Sequence, residues 1–380
     1  MHVTVDIDEQ KTSLTGWCTL TGVRACVLLT IVLLLAGCSA PPDEPPPDGP
    51  SPVGFTQVDL PKGAVPVRLA AGDGGELLVA VRKDDRPGLL SLAADGTNTD
   101  IPLTSATEYG AEALWYSLAA AGDRILAVGG KRGGAHGNVR WSVWDGDRTG
   151  ITERAQAFST FGGLGAGDLI DGVLPSTGPL VVGTWQSASA GSDAAVWTFD
   201  GTTWTRGSSA GTALESTPEE LKFPMAATTN GDDVLIAGWE LADAHQQPIV
   251  WTLRGGTATV ATLPDAGKSA TAIAVSCTPD CAVTGRVDGR LAVWRQRGGE
   301  WTRVTGLPDV RVGDTDRPAA PIGDTLVYSD RGIVRVATLG TDIRDTSGPT
   351  GVVTAVARVD DITYVLAGPT ADKQFLWRAD

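Results

Sequence analysis

Short runs of alternating apolar and polar residues recur along most of the chain, and tight turns separate them. In one copy, ATTNGDDVLIAGW at 227–239, Asn, Gly and Asp form a turn between two runs of strand-forming residues. Seven such copies occur, at 69–81, 118–130, 173–185, 227–239, 274–286, 319–331 and 356–368. Each copy predicts a β-hairpin, and their regular recurrence predicts a repeat architecture.

A third and a fourth strand are predicted after most of these hairpins. The third strand ends in Val-Trp in four copies, at Trp144, Trp197, Trp251 and Trp294. The fourth follows a turn of the Asp-Gly or Gly-Gly type. Four antiparallel strands repeated seven times predict an all-β fold, a seven-bladed β-propeller over residues 54–380. We expect the tryptophans to pack between blades; the alternative is an aromatic platform for sugar binding.

The last copy lacks a fourth strand, because the chain reaches Asp380 after the third. The segment TQVDLP at 56–61 resembles the fourth strands TVATLP at 259–264 and TRVTGLP at 302–308. We therefore predict that residues 55–61 complete the last blade, close the ring and cover an edge that other chains would otherwise pair with. The alternative is that TQVDLP belongs to the preceding tether.

The N-terminal region predicts export and lipid anchoring. VLLTIVLLLAG at 27–37 is an apolar run of signal-peptide length, short for a membrane span. The run leads into LAGC, which resembles the lipobox of bacterial lipoproteins and implies a lipid on Cys38. Residues 1–37 are then a leader and signal peptide, with an ordinary secretory signal as the alternative. Because DIDEQ near the start is acidic, we expect translation to begin downstream, with Val23 as the candidate.

The composition fits an exported protein. Seven prolines lie between positions 41 and 52, which predicts an extended, disordered tether over 38–53. In an oxidising compartment Cys277 and Cys281 predict a disulfide, with a redox or metal-binding pair as the alternative. The net charge of −15 disfavours nucleic acid as a partner.

No catalytic motif or cofactor site is evident. After the leader the chain has two histidines, too few for a three-histidine metal site, and no metal is predicted. DGDRTG at 145–150 loosely matches half of a calcium loop, but the distal Glu is replaced by Gln156, so a hairpin turn is predicted there.

VWTFDGTTWTR at 195–205 and VWRQRGGEWTRV at 293–304 resemble hairpins of sialidase-like and kelch-like propellers. The resemblance implies a propeller repeat and no active site. A sialidase also needs an Arg-Ile-Pro type motif, and that tripeptide does not occur in this chain.

One face of the predicted ring carries most of the inserted residues, at 129–139, 184–194 and 238–248 and in connections near 153–170 and 207–224. Insertions on one face of a repeat fold are typical of a binding face. The candidate ligand site there comprises Arg132, His136, Trp185, Trp239, His245, Arg286 and Arg331. The alternative is a set of unrelated residues on a solvated rim.

These features favour an extracytoplasmic, membrane-tethered monomer that binds an envelope protein or glycan without catalysis. A carbohydrate-active hydrolase or lyase is the alternative, and it requires carboxylates and arginines that converge in the central opening. A third hypothesis, an accessory subunit of an envelope complex, requires a contiguous apolar patch.

Overall fold

The computed structural model describes residues 53–133, 137–340, 343–344, 348–370 and 373–379. The described chain is built from β-strands, with two single-turn helices. The predicted signal peptide, Cys38, almost all of the predicted tether and His136 lie outside the described residues.

The strands follow one another in short hairpins. Up to residue 153 they are β1 (Phe55–Gln57), β2 (Val65–Ala71), β3 (Leu77–Lys83), β4 (Arg86–Leu92), β5 (Asn98–Asp100), β6 (Leu103–Thr104), β7 (Leu114–Ala121), β8 (Arg124–Arg132), β9 (Val139–Asp147) and β10 (Gly150–Glu153). Up to residue 303 they are β11 (Ala166–Val173), β12 (Leu180–Gln186), β13 (Ser192–Phe199), β14 (Trp204–Arg206), β15 (Glu220–Asn230), β16 (Asp233–Ala242), β17 (His245–Arg254), β18 (Thr257–Thr262), β19 (Ala270–Cys277), β20 (Cys281–Val287), β21 (Arg290–Arg297) and β22 (Glu300–Arg303). The remaining strands are β23 (Thr325–Asp330), β24 (Ile333–Thr338), β25 (Ile343–Arg344), β26 (Val352–Val359), β27 (Ile362–Thr370) and β28 (Lys373–Ala379), and the helices are α1 (Glu108–Ala111) and α2 (Phe158–Phe161).

These strands form separate sheets, which we number in chain order. Sheet 1 contains β2–β5, sheet 2 β6–β10, sheet 3 β11–β14, sheet 4 β15–β18, sheet 5 β19–β22, sheet 6 β23–β25, and sheet 7 β26–β28 together with β1. Paired strands are antiparallel, except that β6 runs parallel to β10. The strands β26, β2, β7, β11, β15 and β19 contact one another in that order and are therefore the innermost strands of their sheets. A ring of such radial sheets is a β-propeller.

The hydrophobic core is divided into clusters, each of which fills the space between two adjacent sheets. Leu78 and Trp144 pack between sheets 1 and 2, and Val182 and Trp251 between sheets 3 and 4. The other clusters join sheets 2 to 3, 4 to 5, 5 to 6, 6 to 7 and 7 to 1. Successive side chains of a strand point to opposite faces of its sheet. The apolar side chains of one strand therefore stabilise two interfaces, one on each face.

The predicted role of the Val-Trp tryptophans is confirmed. Trp197, Trp251 and Trp294 are buried, and each faces the preceding sheet. Their indole N–H groups donate to the carbonyls of Thr160 (2.9 Å), Ala213 (2.9 Å) and Pro264 (2.7 Å), which lie in the connection from the preceding sheet. Each tryptophan thus fills an interface and fixes the connection that crosses it.

The predicted closure by the N-terminal segment is also confirmed, with a shorter strand. Phe55 lies opposite Ala379 and Gln57 opposite Trp377 in an antiparallel pair of β1 with β28. The N–H of Val58 then donates to the carbonyl of Leu376 at 2.9 Å. β1 therefore supplies the outer strand of sheet 7.

The predicted count of seven four-stranded blades is wrong: six blades are complete, and among the described residues sheet 6 has three strands. The segment expected to form its innermost strand contains Pro318 and Pro321. Proline has no N–H to donate to a ladder, so this segment cannot pair regularly with β23. Only an isolated bridge between Ile322 and Thr325 forms, although Ala319 still packs into the core between sheets 6 and 7.

Two further predictions concern hairpin turns. Cys277 and Cys281 lie opposite each other where the hairpin between β19 and β20 closes, at a separation that allows the predicted disulfide. DGDRTG forms the turn between β9 and β10, in which Asp147 accepts a hydrogen bond from the N–H of Thr149 at 2.7 Å.

Candidate functional site

The two sides of the ring differ in their connections. On one side, short turns join the first strand of a sheet to the second and the third to the fourth. On the other side lie the loops between second and third strands, the segment 105–113 with α1 between β6 and β7, and the connections between sheets, including 154–165 with α2. We call this second side the loop-rich face.

The insertion expected at 238–248 is a long hairpin instead of a loop. β16 and β17 have ten residues each and pair along their whole length, from Val234 opposite Leu253 to Ala242 opposite His245. The turn consists of Asp243 and Ala244 alone, both at positive φ. The hairpin therefore carries His245 at its tip.

The two tryptophans of the predicted ligand site point in opposite directions. Trp185 lies on the side of β12 that also carries Val181, which packs towards sheet 2. Trp239 lies on the side of β16 that also carries Leu235, which packs towards sheet 5, and it stacks on Phe223 with ring centroids 4.0 Å apart. Successive side chains of a strand alternate between faces, and the two tryptophans stand at different distances from their strand glycines. The structure does not bring them together.

The other predicted site residues are spread around the rim. Arg132 ends β8, exposed His245 begins β17, Arg286 on β20 pairs with Asp314, and Arg331 is exposed in the turn between β23 and β24. Among the described residues, no hydrogen bond or ion pair joins any two of the predicted site residues, and His136 is outside that set. Their use in ligand binding stays a prediction.

Exposed apolar side chains are concentrated on the loop-rich face. The large exposed ones of the described chain are Tyr109, Leu114, Phe158, Leu164, Val260, Ile333, Val352 and Phe375. All except Val260 lie in connections on this face or within the first three residues of a strand that begins there. Leu164 is fully exposed and Phe158 is 59% exposed. Clustered apolar exposure of this kind is typical of interaction surfaces.

A cleft of about 240 Å³ lies beside Phe158, between β9, β10 and the connection at 154–165. Arg140 projects into it from β9, and its guanidinium carbon is 4.3 Å from the ring centroid of Phe158 and 5.8 Å from that of Tyr109. Sequence reasoning missed this cleft, because its residues lie in connections without strand periodicity. The available signal was the apolar run AFSTFGGL at 157–164, which predicts no strand and yet is not polar.

Glu153 on β10 holds one wall of the cleft in place. Its buried carboxylate accepts hydrogen bonds from the N–H groups of Ala106 (2.7 Å) and Thr107 (2.8 Å) and from the Thr107 hydroxyl (2.7 Å). Thr107 in turn caps α1 by accepting from the N–H of Gly110 at 2.9 Å. Tyr109 is therefore positioned by a buried carboxylate whose hydrogen bonds are made within the protein.

A second polar cluster lies at the centre of the ring. The innermost strand of each complete sheet has a β-bulge. The extra residues are Val67, Tyr116, Ile170, Met225, Ile273 and Thr354. In sheets 1 to 3 the residue after the bulge is polar: Arg68, Ser117 and Asp171.

These three side chains link neighbouring sheets. The Nε–H of Arg68 donates to the carbonyl of Tyr116 at 2.6 Å, and the N–H of Gly172 donates to the Ser117 hydroxyl at 3.1 Å. The N–H of Ala227 donates to Asp171 at 2.8 Å. Sheets 1, 2, 3 and 4 are thereby connected in series.

Burial raises the pKa of Asp171 to about 6. The N–H of Ala227, the Ser117 hydroxyl and the charge of Arg68 lower this pKa only in part. Burial also lowers the pKa of Arg68, an effect that the charge of Asp171 opposes. Each charge thus partly stabilises the other in a poorly solvated place.

The central cluster does not resemble a glycosidase centre. Such a centre requires two carboxylates flanking the bond to be cleaved, whereas one carboxylate, Asp171, belongs to this cluster and is hydrogen-bonded to backbone. The described residues contain no group of His, Cys, Asp and Glu that could hold a metal ion. None of the described helices is long and apolar enough to cross a membrane.

No protein-family model matches the chain, and no curated protein matches it. Among solved structures, it is similar to the uncomplexed acylaminoacyl peptidase of Pyrococcus horikoshii, with 11% identity and a TM-score of 0.54 over 86% of this chain and 53% of the other. The chain thus spans about half the length of that peptidase.

The β-propeller domain of the Trilobed protease from Pyrococcus furiosus, described as having an open velcro topology, is also similar. It is 10% identical, with a TM-score of 0.50 over 85% of this chain and 95% of the other. Trypanosoma rangeli sialidase is 11% identical, with a TM-score of 0.42 over 86% and 59%. At these identities the first two likenesses show the propeller fold alone.

The pKa of Asp171 predicts a specific pH dependence of stability. Because its pKa in the folded protein, about 6, exceeds the ordinary value of 3.8, the folded state binds this proton more tightly. The resulting stabilisation is complete below pH 3.8 and is lost as the pH rises through about 6. Asp171→Asn should not show this loss. Between pH 4 and pH 7 the free energy of unfolding of the wild type should therefore fall by on the order of 2 kcal/mol relative to that of the variant.

Chemical denaturation at several pH values measures this difference. Asp168→Asn on the same strand is the matched control, since Asp168 is exposed. An Asp171→Asn profile that runs parallel to the wild-type profile would contradict the assignment.

Proposed function

We propose that the chain is an extracytoplasmic lipoprotein, anchored through Cys38, whose propeller binds an envelope partner with its loop-rich face and performs no catalysis. On this proposal the protein is a monomer. The folded ring presents the binding face, and the Pro-rich residues 38–53 hold it away from the membrane.

The observation that carries this proposal is the unequal distribution of exposed apolar side chains. Tyr109, Phe158 and Leu164 lie in two successive connections of the loop-rich face, whereas Val260 is the one large exposed apolar residue of the described chain away from that face. Solvation alone gives no reason for this asymmetry. A partner that covers these side chains would remove their apolar surface from water.

The alternative of a carbohydrate-active enzyme has weaker support. The charges of Arg68 and Asp171 interact between the innermost strands of sheets 1 and 3, but both side chains are hydrogen-bonded to backbone groups of neighbouring sheets. These hydrogen bonds give both side chains a structural role as links between sheets. Turnover of a glycan remains the result that would favour the alternative.

Anchoring is tested by substitution of the lipidated residue. The full chain, expressed in a bacterium that processes lipoproteins, should sediment with membranes, and Cys38→Ser should move to the soluble fraction because it cannot accept the lipid. Metabolic labelling with a fatty acid confirms the modification. A Cys38→Ser protein that stays with the membranes and a wild type without label would contradict lipid anchoring.

The binding face is tested by cross-linking in membranes, affinity capture and mass spectrometry. Phe158→Ser with Leu164→Ser should lower recovery of the specific partner by about tenfold, because truncation of buried anchors at an interface costs on the order of 2 kcal/mol. Val260→Ser, at an exposed apolar position outside the face, should leave recovery unchanged.

Equal recovery by both variants would place the partner elsewhere on the ring. Absence of a specific partner, together with turnover of a glycan by the purified chain, would reject the binding function.

A further inference from the structure

We propose that the cleft beside Arg140 binds a carboxylate of an acidic protein segment whose apolar neighbours rest on Tyr109 and Phe158. This inference rests on the proposed function and names the partner chemistry of the same face. The recognised group is an aspartate or glutamate side chain within an apolar stretch of the partner.

Arg140 has the geometry of a carboxylate-binding arginine. Its guanidinium lies near two aromatic rings, 4.3 Å from the Phe158 centroid and 5.8 Å from the Tyr109 centroid. An aromatic face attracts the cation but provides no in-plane acceptor for the guanidinium N–H groups. Among the described residues, Arg140 makes no ion pair, so its N–H edge is available for a bidentate pair with a carboxylate.

The other charged groups around the cleft are already paired within the protein. Arg154 pairs with Asp145, and Lys131, opposite Arg140 on β8, pairs with Glu112. Glu153 accepts its hydrogen bonds from the segment at 106–107. Arg140 is thus a cation without a described carboxylate partner on a chain with net charge −15. An acidic ligand complements it, and a basic one does not.

The size of the cleft favours one side chain of a larger partner. Its volume of about 240 Å³ is below the roughly 300–1,000 Å³ of sites that enclose a whole drug-sized ligand. A partner that inserts one acidic residue and covers the surrounding rings would use the cleft as an anchor point within a broader interface.

The surroundings of the cleft favour protein over glycan. Leu164, fully exposed, follows the cleft residue Gly162 by two positions, and Leu114 is 46% exposed at the start of β7. Leucine side chains offer apolar surface but no hydrogen bond to sugar hydroxyls. In a protein partner, the acidic residue would pair with Arg140 and its apolar neighbours would pack on the leucine side chains.

The test measures binding of two short, acetylated and amidated synthetic peptides to the purified full chain by calorimetry. In one peptide a glutamate stands between phenylalanine and leucine; in the other, glutamine replaces it. The wild type should bind the glutamate peptide about tenfold more tightly, since a charge-assisted hydrogen bond exceeds a neutral one by roughly that factor. Arg140→Gln should abolish this discrimination, and Arg140→Lys should retain part of it.

Arg206→Gln is the matched control, because Arg206 also stacks on an aromatic ring, 4.8 Å from the centroid of Trp185, but outside the cleft. It should keep the wild-type discrimination. Thermal melting of each variant checks folding, and if Arg140→Gln does not fold, Arg140→Lys carries the comparison.

Equal wild-type affinity for the two peptides, binding of neither, or discrimination that survives in Arg140→Gln would overturn the proposal. Arg140-dependent binding of a uronic acid oligosaccharide in place of the peptides would overturn it as well. In each case a loss of partner capture by Phe158→Ser with Leu164→Ser would leave the binding function itself intact.

Discussion

The antiparallel pairing of β1 with β28 is the constraint on which the ring depends. Each sheet packs only against its two neighbours, so an unclosed ring would leave an outer strand edge unpaired and an interface open. The N-terminal segment stabilises both sides of sheet 7. Phe55 packs into the core between sheets 6 and 7, whereas Val58 and Leu60 pack into the core between sheets 7 and 1. The segment thus acts as a strand and as part of two cores.

Different interactions stabilise the other parts of the ring. Between sheets 1 and 5 the buried tryptophans dominate the interfaces, and those of sheets 3, 4 and 5 fix the preceding connections by hydrogen bonds. The central links of Arg68, Ser117 and Asp171 join sheets 1 to 4. Sheet 6 has neither a Val-Trp strand nor a complete inner strand. The N-terminal segment therefore closes the ring beside its least regular sheet, and only sheet 1 separates the closure from sheet 2 and its apolar cleft.

Much of the fold could be predicted from the sequence, because each feature has a local signal. Turn residues mark the hairpins, the Val-Trp pairs mark the interfaces, and TQVDLP matches the outer strands. The repeat pattern predicts an inner strand for sheet 6, but that strand does not form. Pro318 and Pro321 lack the N–H groups that a regular ladder needs, and the repeat pattern takes no account of them. The length of the hairpin at Asp243 was not predictable, because it requires two successive residues at positive φ, and one of them is Ala244.

The candidate site was less predictable, for a geometric reason. The glycines before Trp185 and Trp239 look equivalent in sequence, but one extra residue places the two side chains on opposite faces of their strands. Conversely, Arg140 and Phe158 are distant in the chain and meet only because Glu153 and α2 fix the connections around β9. Contacts between connections carry no periodic signal, so no pattern in the sequence indicates them.

Thermal unfolding of the chain lacking residues 54–61 tests the closure most directly. The control is deletion of residues 39–50 from the predicted tether, which lie outside the described residues. Loss of β1 should lower the melting temperature by at least about 5 °C, because Phe55, Val58 and Leu60 leave two core clusters and the outer edge of β28 becomes unpaired. The tether deletion should melt like the full chain. A chain without residues 54–61 that also melts like the full chain would contradict closure of the ring by its N-terminal strand.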